Sequence, residues 1–507
     1  MTALVENSKI PDDRPARFRK KRYRTRWLLL LIFFIGYIAT FSIFEDYALE
    51  YFVLTVVSCF VCSLLLSRLN HSLQVTFPFW LIFVVFLVAY YFKFYWLAIC
   101  PEKGAIMWPQ FPSLFFHPDS LMAAYSITTY GFGAFCVTSW FLLGKPYYFK
   151  IKKISYQITS NNRYRFVSSL VLLIVPFLMV ITSFIMYKTG ISVSGAESVY
   201  LPFRLAGIIY YTRTILIPAL LLLLIWCSEQ VGWYKKSMIG LILLFLHGFT
   251  QTILTTTKAG ILSILVLAFL LFLLTGFKIR KGHIWFFGGS LLMGIFLFSV
   301  AAEYRLARIS GAGSLISILS IATESIQHWF LNFGDILSYA FSTIFLRFTG
   351  VEMLMVYTGL DIKPLAQHAW KVIAAPGGLS TYVTLDIFGY LSHAKNSVAP
   401  GMVGWFYLVG GTSLVIFGLA GFTIVTHLLW KILTRMKLRS LPVAQALFLS
   451  LLLGLAMDGV LEGFISLPML VYPASIAVCE WLMRARGRHH PLKMPAETGI
   501  SDMVVDH

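Results

Sequence analysis

The sequence predicts an all-α polytopic membrane protein of about twelve transmembrane helices with one large extracytoplasmic loop. Three observations predict it. Composition comes first: mean hydropathy is +0.78, with 58% hydrophobic and only 12% charged residues, against about 25% charged in soluble domains. The second is a near-continuous series of apolar segments of spanning length. The third is the distribution of Lys and Arg, which fall in short clusters between every second pair of segments. A net charge of +19 would suggest nucleic acid in a soluble chain. Here cytoplasmic loading of basic residues accounts for it, so no nucleic-acid partner is expected.

Residues 1–26 form a polar tail ending in Arg17, Arg19, Lys20, Lys21, Arg22, Arg24 and Arg26, which places the N-terminus in the cytoplasm. No small-residue cleavage site follows, so the first span is not read as a removable signal. Spans one to four are about 27–45, 49–67, 76–97 and 119–143, with Glu45-Asp46 at an outer turn and Arg68 inside. A strongly basic loop (Lys145 to Arg165) then returns the chain to the inside. Spans five and six, about 166–187 and 209–227, flank an outer loop with Glu197, Arg204 and Arg213. The apolar run 237–277 is too long for one span of about 20 residues. Thr255-Thr256-Thr257-Lys258-Ala259-Gly260 is read as the outer turn that divides it into spans seven and eight.

Span nine, about 284–302, completes the 27–302 block and delivers residues 303–401 to the outside. This long stretch contains Arg305, Arg308, Arg347, Glu352, Asp361, His368, Asp386 and His393. Ser314–Phe333 and Asp335–Phe348 have interrupted helical patterns, read as helices on or re-entering the outer face. The block 402–485 holds spans ten to twelve, about 402–428, 441–460 and 465–483, and 486–507 is a short cytoplasmic tail. No inverted repeat is visible. The six cysteines lie mostly in apolar spans and offer neither a disulfide framework nor a metal cluster; no metal and no cofactor is expected.

Cations on the outer side are the anomaly. Lys258 lies between two apolar helices, either snorkelling to the interface or serving a ligand. Arg213 stands at the outer end of a span, where an ionisable residue is a functional candidate by default. Arg204 and Arg347 either bind a ligand or pair with Glu197, Glu324 or Glu352. Four cations converging at the outer face suit an anionic ligand, and phosphate is the group such side chains recognise best. A lipid-linked pyrophosphate fits, because the same charges would stabilise it as a leaving group without a metal. His393 precedes a Pro-Gly helix entry and is either structural or a proton acceptor. His368 and His328 are weaker candidates, and His247 is read as buried and structural. Paired glycosidase-type carboxylates, a phosphate-cradling loop and a nucleophile elbow are all missing from the sequence.

Three segments resemble the bacterial oligosaccharide repeat-unit polymerases (O-antigen polymerases) and, more distantly, the O-antigen ligases. They are Thr255 to Leu262 around Lys258, Leu346-Arg347-Phe348-Thr349-Gly350-Val351-Glu352, and His393 to Gly411 with its Pro, Gly, Tyr and Gly-Gly. The similarity covers about residues 190–465, through the order of degenerate motifs. It implies a C-type multispan glycosyltransferase of the bacterial inner membrane, with both termini cytoplasmic and a periplasmic active site. Donor and acceptor would be undecaprenyl-pyrophosphate-linked glycans, with a chain-length regulator and a flippase as further partners. Arg347 and Lys258 would grip the donor pyrophosphate and His393 would sit at the reaction centre, the three forming the expected catalytic set. Lys258 replaces the usual Arg of the family and loses its bidentate fork. The expected substrate-binding residues are Arg204, Arg213, Arg308, Glu352 and Tyr407. A ligase is the alternative within the class. A flippase or transporter is the alternative outside it and calls for charges inside the spans. The sequence reading instead places the charges in outer loops and at helix ends.

Overall fold

The computed structural model describes residues 30–69, 73–144, 161–191, 205–255, 259–309, 320–321, 323, 348–375, 378–390, 398–459, 461 and 468–484. Among these residues every regular element is helical. In hydrocarbon a helix satisfies its own backbone, so apolar runs of this length have no other open solution. The elements are α1 (Leu30–Arg68), α2 (Val75–Ile99), α3 (Pro118–Leu143), α4 (Asn161–Thr189), α5 (Leu205–Gln230), α6 (Tyr234–Thr255), α7 (Ala259–Thr275), α8 (Lys281–Ile309), α9 (Val351–Gly359), α10 (Gly378–Tyr382), α11 (Met402–Arg435), α12 (Leu441–Asp458) and α13 (Pro468–Arg484). Eight are long and apolar enough to cross a membrane: α1 to α6, α11 and α12.

The first of these is a hairpin. Tyr37 and Tyr51 stack with ring centroids 5.1 Å apart, whereas fourteen residues of straight helix would span about 21 Å. The fold-back lies in the 3₁₀ segment Phe41–Tyr47, where Phe44 leaves helical geometry. The outer turn expected at Glu45-Asp46 is therefore helical rather than open. The run 237–277 likewise divides, with helix to Thr255 and again from Ala259. Small residues let α6 and α7 approach: a Cβ on Gly260 would lie 2.6 Å from Thr252 Oγ1.

Around α3 pack α1, α2, α9 and α11. A second group, α4 to α8, is joined to the first by α12, and α13 packs on α4, α5 and α12. Between α1, α2 and α3 runs a buried set of hydroxyl bonds: Thr40 to Tyr51 (2.6 Å), Thr55 to Tyr125 (3.1 Å) and Ser58 to Tyr91 (2.9 Å). Phe94 stacks on Tyr125 beside them at 4.4 Å. Basic residues cap helices at the ends that the sequence assigns to the inside. Arg68 donates to the Gly144 carbonyl (3.0 Å), Arg439 to that of Met483 (3.2 Å) and Arg163 to that of Leu482. Lys236 reaches Ser169 (2.9 Å). At the other helix ends the polar contacts carry acids, Tyr47 to Asp119 (2.7 Å) and Ser126 to Glu50 (3.1 Å).

The stretch 303–401, read as one outer loop, is corrected in two places. First, α8 continues to Ile309, so Arg305 and Arg308 belong to a helix. Second, α9 is not on the surface: Val351 to Tyr357 are all buried, packed against α2, α3 and α11. A second short segment enters beside it. The helix Met402–Arg435 breaks at Gly410-Gly411, where Gly411 takes φ +68. The Phe406 ring occupies the space a Cβ on Gly418 would need, although twelve residues of straight helix span about 18 Å. Met402–Val409 therefore folds back along the rest of α11. The interfacial helices read over 314–333 and 335–348 lie almost wholly outside the described residues, as do both tails.

The two inserted segments meet at glycines. A Cβ on Gly350 would overlap the Ala89 carbonyl, and one on Gly459 the backbone of Gly401. Gly459 ends α12 in left-handed geometry, φ +67, which costs other residues about 1–2 kcal/mol before any overlap. Gly459→Ala is expected to lower stability in micelles by at least that amount, measured by denaturant titration. Gly454→Ala, a helical position with open space around it, is expected to be neutral or to gain up to about 1 kcal/mol.

Candidate functional site

Arg213 is the most informative of the expected site residues. It is fully buried and sits in a π-helical turn, Thr212–Leu216, inside α5. Such turns displace the helix register and are frequent at functional sites. The displaced turn lets the guanidinium reach two neighbouring helices. From α6, Gln251 Oε1 accepts from Nε at 2.6 Å and the Thr250 hydroxyl from Nη2. From α4, the Ser183 (2.5 Å) and Thr182 (3.3 Å) hydroxyls and the Met179 carbonyl (3.4 Å) accept from Nη1. His247 closes the site by donating from Nε2 to the Arg213 carbonyl at 2.8 Å, in keeping with its structural reading. Every acceptor is neutral, and among the described residues no carboxylate forms an ion pair with Arg213. An uncompensated cation in a low-dielectric interior attracts an anion strongly. The helix that supplies Thr250 and Gln251 ends at Thr255, directly before Thr256-Thr257-Lys258. The structure thus places Arg213 against the last two turns of α6.

Glu352 is placed differently from expectation. Its carboxylate is 1% exposed and pairs with Lys93 at 2.6 Å, the ammonium being 0% exposed. Its second oxygen accepts from the Gly350 N–H at 3.2 Å, and Lys93 also donates to the Phe348 carbonyl at 2.8 Å. Buried and engaged at both oxygens, Glu352 holds the start of α9 rather than presenting itself to a ligand. Expected as a substrate contact, Glu352 is placed instead within an internal ion pair. Lys93 was missed by the sequence reading because it sits in an otherwise apolar run. The signal was present nonetheless: a lone cation deep in a span demands a partner.

Lys93 and Arg213 also correct the view that charges keep to loops and helix ends. Both are buried within candidate spans.

Tyr407 is half-buried in the short segment before the Gly410-Gly411 break. The loop after α9 docks on this break: the Leu365 N–H donates to the Leu408 carbonyl at 2.7 Å. Arg308 is placed on α8 near its end. Arg347, His393, Lys258 and Arg204 lie outside the described residues, as does His328. His368 is exposed in the turn Ala366–His368. The flanks of the His393 segment are held firmly. Thr384 accepts from the Val398 N–H (2.9 Å) and Ser380 donates to the Val398 carbonyl (2.8 Å). On the other flank Gln110 donates to the Tyr390 hydroxyl at 2.7 Å, and Phe388 packs on Trp108 at 5.0 Å. Burial, with the nearby Asp386 adding to it, pushes the Tyr382 hydroxyl above the usual range and keeps it protonated.

Comparison with protein-family models, with curated proteins and with solved structures finds no match. The described residues hold no cluster of His, Cys, Asp or Glu able to bind a metal.

Single substitutions of the ion pair leave one buried charge unpaired, at a cost of about 3–5 kcal/mol each. The double variant Lys93→Met/Glu352→Gln is expected to recover most of that loss. A double-mutant cycle on melting in detergent measures the coupling, and additive single effects would contradict the pairing.

Proposed function

We propose that the chain is a membrane glycosyltransferase that polymerises lipid-linked oligosaccharide repeat units into a surface polysaccharide. The observation that carries this reading is the buried Arg213 guanidinium, surrounded by neutral oxygens on the helix that leads to Lys258. A pyrophosphate group entering from the outer end would supply the missing negative charge. Departure of that pyrophosphate from the anomeric carbon would draw on the same cations. Arg347 and Lys258 are proposed to hold the donor with Arg213, and Arg204, Arg308 and Tyr407 to line the substrate path. His393 is proposed to take the proton from the acceptor hydroxyl. The resemblance of the three segments around Lys258, Arg347 and His393 supports the same class.

The proposed setting is a bacterial inner membrane crossed about twelve times; the eight helices long and apolar enough to cross it, the first of them a hairpin, support a polytopic chain. Both termini would then be cytoplasmic and the site periplasmic. The donor and acceptor would be carried on undecaprenyl pyrophosphate, with a chain-length regulator as a further partner.

A second reading has its own support. Transporters of lipid-linked sugars place ionisable residues inside the bilayer and interrupt their helices near the binding site. The Lys93–Glu352 pair and the break at Gly410-Gly411 are features of that kind.

One strain separates the readings. In cells lacking the protein, single repeat units on lipid at the outer face are expected for a polymerase. Units confined to the cytoplasmic leaflet would mean a flippase, and polymer stranded on lipid would mean a ligase. Arg347→Ala is expected to abolish chain extension in protein that still inserts. Arg213→Lys keeps the charge but cannot reproduce the planar set of bonds to α4 and α6. It is expected to shorten the chains, read by electrophoresis of the polymer.

A further inference from the structure

We infer that Lys93 is a positioning residue: it fixes the entry of the long stretch 348–401 to one turn of α2, against which the exit of that stretch is packed in turn. The inference rests on the polymerase reading for its consequence but not for its geometry.

Four contacts converge on residues 89–93 of α2. The Lys93 ammonium bonds the Glu352 carboxylate (2.6 Å) and the Phe348 carbonyl (2.8 Å). The Glu352 carboxylate in turn takes the Gly350 N–H, at the mouth of α9. Gly350 itself lies so close to the Ala89 carbonyl that no side chain fits between them. Residues 89–92 lie within a π-helical turn, Phe86–Phe92, and Lys93 directly follows it; such a turn alters the helix register. From the same turn, the Tyr90 hydroxyl accepts from the Val403 N–H at 3.0 Å.

The other end of the stretch shares the anchor. Gly401, at φ +73, packs against the Thr349 carbonyl, and its N–H donates to the Asp458 carbonyl at 3.2 Å. Tyr357 of α9 donates to the Pro400 carbonyl at 3.4 Å. Entry at Phe348-Thr349 and exit at Pro400-Gly401 are therefore clamped together. Stability alone does not explain an ion pair at this place. Desolvating two charges offsets most of their attraction, and an apolar pair of similar volume is commonly as stable or more so. What the pair adds is direction. A charged, short, two-point grip allows one arrangement of Phe348 to Glu352, where apolar packing would tolerate several.

The test uses the full-length protein in nanodiscs with the double variant Lys93→Met/Glu352→Gln. Hydrogen exchange at 348–352 and 398–402 is expected to rise while α3 and α5 stay protected. Turnover of lipid-linked repeat units is expected to fall on the order of 100-fold, the scale of an ångström-sized misplacement, with the donor KM little changed. Wild-type turnover despite raised exchange, or unchanged exchange, would overturn the inference. A second variant, Gly350→Ala, displaces the same segment from Ala89 and leaves both charges in place. It is expected to reproduce the split between kcat and KM, and normal kcat there would also overturn the inference. Failure of the polymerase reading is recognised separately, because the wild-type protein itself would then show no turnover.

Discussion

A charge buried in an apolar bundle must be answered by another group, and the fold is arranged around two such answers. At Lys93 the answer is a carboxylate, and it holds α9 in the middle of the bundle. At Arg213 the answer is a ring of neutral oxygens, which ties α5 to α4 and α6. The first site is closed electrostatically. At the second, no carboxylate among the described residues forms an ion pair with Arg213, and that difference separates an anchor from a candidate binding group.

Close approach of backbones is the second constraint. Helices in lipid gain little from apolar contact with one another, so packing relies on small residues and shared hydroxyls. Gly260 against Thr252, Gly350 against Ala89 and Gly459 against Gly401 supply the first. The Thr40, Ser58, Tyr91 and Tyr125 hydroxyls supply the second. Together these contacts make room for two inserted segments, 348–359 and 398–409, in a bundle that simple alternation of spans would leave without them.

These insertions change the geometry of the proposed chemistry. The stretch between them is held at both ends on a rigid base, with Thr349 against Gly401. A catalytic group on a tethered segment is confined more closely than one on a free loop, and confinement is a large part of what a transferase supplies.

The sequence by itself determined the helical membrane class and the division of the apolar run 237–277 into two helices. These follow from length, hydropathy and basic clustering, which are local properties of the chain. It also pointed to Arg213 as a cation out of place. Only the tertiary structure decided that Glu352 answers Lys93, two residues separated by 259 positions. Only it decided that α9 lies inside the bundle and that Gly410-Gly411 folds a helix back on itself. The apolar pattern of Val351 to Tyr357 is too short to signal a span, and its burial depends on a partner charge far away in the chain. Pairing of buried charges is a long-range condition, and hydropathy along one chain does not carry it.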